Sequence, residues 1–125
     1  MKIDSLINFF SGNKSPQDFV LEIDTEVDRY KFKYKERGTS LKVILDCVDQ
    51  QFVIGSEEIV NLCNGYLDGH LSQWHVYYIC DAIQMYEGFI IKTEDINKAI
   101  DLMTDPEVNG EIDRGIIQQI KIKIG

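Results

Sequence analysis

The sequence predicts a predominantly helical α+β domain, with about five to six helices and one small β-hairpin near residues 41–54. Apolar residues recur at helical spacing through most segments, and a capping residue opens nearly every one of them. Two short β-type runs interrupt this pattern, one over Leu41, Val43, Ile44 and Leu45 and one over Phe52, Val53 and Ile54. The chain has 125 residues, 2 prolines and no Pro-rich or Gly/Ser-rich linker, so residues 1–125 are read as a single domain around one core.

The elements follow in order. Asp4 to Phe10 is a short apolar helix ended by Ser11-Gly12-Asn13. Ser15-Pro16-Gln17-Asp18 then has the form of a capping box, with proline at the first helical position. Behind it Phe19, Ile23, Val27, Tyr30 and Tyr34 share a face. Acids fill the first half of this segment and bases the second, which complements the helix dipole, and Gly38 is a suitable stop. The reading is a helix over about 16–37, although Tyr30 to Lys35 also alternates like a half-buried strand.

After the hairpin, Gly55 breaks the chain. Ser56-Glu57-Glu58 is expected to cap a helix running to about Leu67. Asp68-Gly69-His70 is a turn, and Ser72 caps a helix from Gln73 to about Met85 whose apolar residues cover most of its circumference, as in a core helix. Gly88 to Ile91 reads as an extended connection, and Thr93 caps a helix carrying Ile96, Ala99, Ile100 and Met103. Asp105 to Gly110 is a turn. Asp113 caps a last helix, with residues 120–124 open between helix and strand because Ile120, Ile122 and Ile124 alternate with lysines.

Composition narrows the function classes. The formal net charge of −8 opposes binding to nucleic acid, which requires Lys and Arg against phosphates, and opposes an anionic membrane surface. Met1 to Ile7 carries an acid and lacks the features of a signal peptide, and no apolar run reaches membrane-spanning length. The 3 cysteines, Cys47, Cys63 and Cys80, are odd in number and form no CxxC pair. Free thiols in a reducing cytoplasm are expected.

Catalytic chemistry finds little purchase. Cys63, His70, His75 and Cys80 have no familiar zinc spacing, so no metal or other cofactor is expected. Ser72 and His75 are close in sequence, but Ser72 is accounted for as a helix cap and no nucleophile elbow accompanies it. Phosphate-binding glycine loops are absent. Asp81, inside the apolar helix, is the one carboxylate whose surroundings suit a raised pKa, and a structural hydrogen bond accounts for it.

Charge is segregated along the chain. Between Lys42 and Lys92 there is no Lys or Arg, while Asp46, Asp49, Glu57, Glu58, Asp68, Asp81 and Glu87 all fall there. A face of that kind favours capture of a basic partner.

Two motifs carry a resemblance. Asn64 to Ala82 has the form N-x-x-L-x-G-x-L-x-x-W-x-x-x-Y-I-x-D-A, and Asp105-Pro106-Glu107-Val108-Asn109-Gly110 has the form D-P-E-[IV]-N-G. Together they resemble small bacterial immunity proteins of polymorphic-toxin and contact-dependent growth-inhibition systems. The resemblance implies a cytoplasmic inhibitor that binds a cognate toxin domain, often a nuclease with a basic cleft. Trp74, Tyr78 and Ala82 are spaced as one core stripe, so the motif itself reads as fold-determining rather than contacting.

The leading expectation is therefore toxin neutralisation by steric and electrostatic blockade, with Asp46, Asp49, Glu57 and Glu58 as the partner-binding residues. Two other readings stand beside it. One is a small enzyme or ligand-binding protein using Asp81 with His75 or Tyr77; the other is a self-assembling regulatory subunit.

Overall fold

The computed structural model describes residues 1–35, 50–104 and 110–125. Among them run α1 (Ile3–Phe10), α2 (Pro16–Lys35), β1 (Phe52–Ile54), α3 (Ser56–Leu67), α4 (Gln73–Met85), β2 (Phe89–Ile91), α5 (Glu94–Leu102) and α6 (Arg114–Ile124). The architecture is a predominantly helical α+β fold with a small two-stranded sheet.

Local chemistry places most boundaries. Ser15 Oγ accepts the Asp18 N–H at 3.1 Å, opening α2, and Thr93 Oγ1 and Asp113 Oδ1 do the same for Ile96 and Ile116 in α5 and α6. Residues 30–35 are helical, and the alternating pattern there misleads because Tyr30 is buried while Phe32 is 66% exposed. The C-terminal alternation is misleading in the same way. On a helix a step of two residues turns the chain to the opposite side, so Ile120 is buried and Ile122 faces solvent. Gly38 and Asp105 to Asn109 lie outside the described residues.

The sheet differs from the expected hairpin in its pairing. Its second run is β1, but the described partner of β1 is β2, paired in parallel with Phe52 opposite Phe89 and Ile54 opposite Ile91. Parallel neighbours cannot be joined by a tight turn, and α3 with α4 forms the crossover. The Leu41–Leu45 run lies outside the described residues. Gly88 permits the pairing. A Cβ there would meet Gln50 O at 2.4 Å and the Tyr86 ring, and Gly88 O accepts the Phe52 N–H at 2.9 Å.

The core is centred on α4, where Val76, Tyr77, Ile79, Cys80 and Ala82 are fully buried. Tyr30 of α2 meets Tyr78 edge-on at a centroid distance of 5.3 Å and Trp74 at 6.4 Å. Polar bonds flank this apolar seam: Asp24 to His75, Glu26 to Tyr78 and Tyr30 to Asp81. Partner numbers rise together along both helices, so α2 and α4 pack in parallel. On the other side α6 runs antiparallel to α3. Arg114 Nη1 donates to Leu67 O at 2.8 Å at one end, and Gly125 lies by Val60 at the other. The Asn61 side-chain amide similarly caps the end of α1 by donating to Phe10 O at 3.0 Å.

Candidate functional site

The four acids expected to bind a partner divide. Asp46 and Asp49 lie outside the described residues. Glu57 is exposed near the start of α3. Glu58 is half-buried, and its Oε1 accepts the Gly55 N–H at 2.9 Å. This corrects the expected cap, because Gly55 holds the N-cap position and Ser56 is already helical. The Glu58 carboxylate therefore satisfies the chain entering the helix, a structural task that Glu57 does not share.

Topology sets more acids at this end of the sheet than sequence proximity suggests. β1 leads into α3 and β2 into α5, and because the strands are parallel both helices start at the same end of the sheet. Glu94 and Asp95, exposed in the first turn of α5, thereby lie at the same end of the sheet as Glu57. The lysine-free stretch ended at Lys92, just before these acids, so linear charge counting missed them. Lys92 also lies at this end, and its Cδ is 3.4 Å from where a Gly55 Cβ would stand. On the outer face of the sheet the ladder partners Val53 and Ile90 are 48% and 45% exposed.

Beside β2, a cleft of roughly 250 Å³ opens between α4 and α5. Its walls include Phe89, Ile91 and Ile100, with Gln84, Glu87 and Asn97 as polar groups. Gln84 Nε2 donates to Asp101 Oδ1 at 2.6 Å, which fixes the orientation of that amide. A second, more open groove of about 450 Å³ lies between α3 and α6, lined by Val60, Leu67, Lys121 and Ile122.

The residues considered for catalysis are held elsewhere. Tyr30 donates to Asp81 across the α2–α4 seam, and the fully buried Tyr77 phenol oxygen accepts the Ile112 N–H at 3.0 Å. Burial pushes the Tyr77 hydroxyl above its usual range. His75 lies between Asp24 Oδ1, 2.7 Å from Nε2, and Ser72 Oγ, 2.7 Å from Nδ1. That order imitates nucleophile, base and orienting acid. Its bonds, however, close the start of α4: the Ser72 N–H donates to His75 Nδ1 at 3.0 Å, and the His75 N–H points back to Ser72 Oγ at 3.4 Å. Nδ1 is therefore an acceptor and Nε2–H donates to Asp24, a capping box in which histidine takes the place of glutamate.

Cys63 and Cys80 are buried free thiols, and burial pushes Cys63 up to about 11 and Cys80 well above its usual value. His70 meets the Gln17 amide at 3.2 Å and His75 meets Asp24, so the two histidines weighed as zinc ligands are bonded to different partners. Among the described residues no three His, Cys, Asp or Glu side chains converge as a metal site.

Comparison with protein-family models, with curated proteins and with solved structures finds no match for this chain. Among the described residues no helix is long and apolar enough to cross a membrane.

Proposed function

We propose that this chain is an immunity protein that binds a cognate, basic toxin domain and neutralises it by covering its active-site cleft. The observation that carries the reading is the sheet, where parallel pairing sets Glu57, Glu94 and Asp95 at one end and leaves the Val53–Ile90 pair exposed on the outer face. A small apolar centre with an acidic rim suits a partner whose surface is basic, the apolar pair supplying contact area and the rim supplying encounter rate. A second copy of the chain is disfavoured as occupant, because a net charge of −8 repels itself. The Asn64–Ala82 motif supports the same reading through its resemblance to immunity proteins. Its buried Trp74, Tyr78 and Ala82 hold the core, and the docking charges lie on other residues.

The test is co-expression with the product of the neighbouring upstream reading frame, which this reading expects to carry a basic toxin domain. The chain is expected to restore growth and to form a one-to-one complex with the purified domain. Absence of both rescue and complex contradicts the proposal.

A further inference from the structure

We infer that the cleft between α4, β2 and α5 receives a single arginine side chain from the basic partner. This inference takes the partner's character from the reading above but is tested apart from it. Small-molecule pockets usually enclose roughly 300–1,000 Å³. At roughly 250 Å³ the cleft is small for a metabolite and in scale with one long side chain.

Its lining is arranged for such a guest. Phe89, Ile91 and Ile100 offer apolar walls for an aliphatic stem. Each of the polar groups named at the cleft carries an acceptor oxygen. Gln84 turns its Nε2 toward Asp101 Oδ1 at 2.6 Å, which leaves its carbonyl oxygen as an acceptor alongside one remaining N–H. Asn97 contributes a second amide oxygen, and Glu87, exposed at the end of α4, contributes a carboxylate. Several acceptors in one small cleft suit the planar five-donor guanidinium better than the compact ammonium of lysine. An aromatic ring in the wall adds a face on which a guanidinium can stack. No Lys or Arg of the chain lies between Lys42 and Lys92, so α4 and β2 bring no cation of their own to the cleft.

The experiment titrates the full chain with arginine amide and follows backbone and side-chain amide resonances by NMR. Saturable shifts are expected at Gln84, Glu87, Phe89 and Asn97, with millimolar affinity. Lysine amide should bind several-fold more weakly, and citrulline amide, the neutral isostere, should leave these signals in place. Glu87→Gln, an exposed substitution that spares the packing, should weaken arginine amide at least threefold. Shifts absent from these residues, spread over the whole acidic surface, or reproduced by citrulline amide overturn the inference. Loss of toxin-domain binding with the cleft still taking arginine amide removes only the proposed function. Toxin-domain binding to a cleft that ignores arginine amide removes only the inference.

Discussion

Asp24 Oδ1 lies 2.7 Å from His75 Nε2, and the imidazole it holds reaches back through Nδ1 to the Ser72 N–H at 3.0 Å. One side chain thus ties α2 to α4 and caps α4 at the same time. Three groups in a line of this kind invite a catalytic reading. The backbone bonds assign them to the helix start.

Substitution separates those roles. Ser72→Ala removes the hydroxyl that receives the His75 N–H and should cost about 1 kcal/mol, the usual worth of an N-cap. His75→Gln keeps an acceptor near the Ser72 N–H and should cost less than His75→Ala. Urea unfolding measures both. A covalent adduct at Ser72 with a serine-directed fluorophosphonate contradicts the structural assignment.

Tyr30→Phe tests the neighbouring pair. The ring and its edge contacts to Trp74 and Tyr78 remain, and only the donor to the half-buried Asp81 carboxylate is lost. A cost of about 1 kcal/mol is expected, the usual net worth of one hydrogen bond. An unchanged urea midpoint shows that the bond contributes nothing.

At Gly88 the obstacle is backbone. A methyl group would stand 2.4 Å from Gln50 O, so Gly88→Ala must push β2 away from the chain entering β1. The expected loss is about 1–3 kcal/mol, with the Phe52 amide, which donates to Gly88 O at 2.9 Å, losing hydrogen-exchange protection. Gly12, where no atom lies within 4 Å of an added Cβ, provides a control without a clash, although its φ of 79° still strains alanine.

Much of this fold was legible because its helix signals are local. Ser15, Ser72, Thr93 and Asp113 each fix a helix start within three residues of themselves, and the sequence exposes every one. The strand partner was not legible. Phe52–Ile54 contains nothing that distinguishes an adjacent antiparallel neighbour from Phe89–Ile91 across two helices. The site inherits that gap: Glu94 and Asp95 share a sheet end with Glu57 only through parallel pairing, and Glu58 leaves the site because its carboxylate turns to Gly55. Tyr30 and Asp81 are 51 residues apart, so the sequence could place Asp81 in an apolar helix but could not name its donor.

The buried thiols give a pH dependence whose sign is fixed. Cys63 ionises near its ordinary 9.0 when unfolded and at about 11 in the folded chain, because burial disfavours the thiolate. Stability associated with it is full below pH 9.0 and falls as pH rises toward about 11, since only the unfolded state loses its proton in that window. A tenfold difference in acidity between the two states is worth about 1.4 kcal/mol. Tyr77, also raised by burial, extends the fall to higher pH. A Cys47→Ser variant, which leaves Cys63 and Cys80 as the thiols, should resist iodoacetamide at pH 8 until urea unfolds it. Rapid labelling of the folded variant refutes this.

The central claim is capture of a basic partner at the acidic sheet end, and association kinetics test it most directly. Stopped-flow mixing with the proposed toxin domain should show a rate that falls steeply with salt. Joint neutralisation by Glu57→Gln, Glu94→Gln and Asp95→Asn should slow it by about tenfold at low salt while changing dissociation little. A rate indifferent to both salt and these three substitutions contradicts the account.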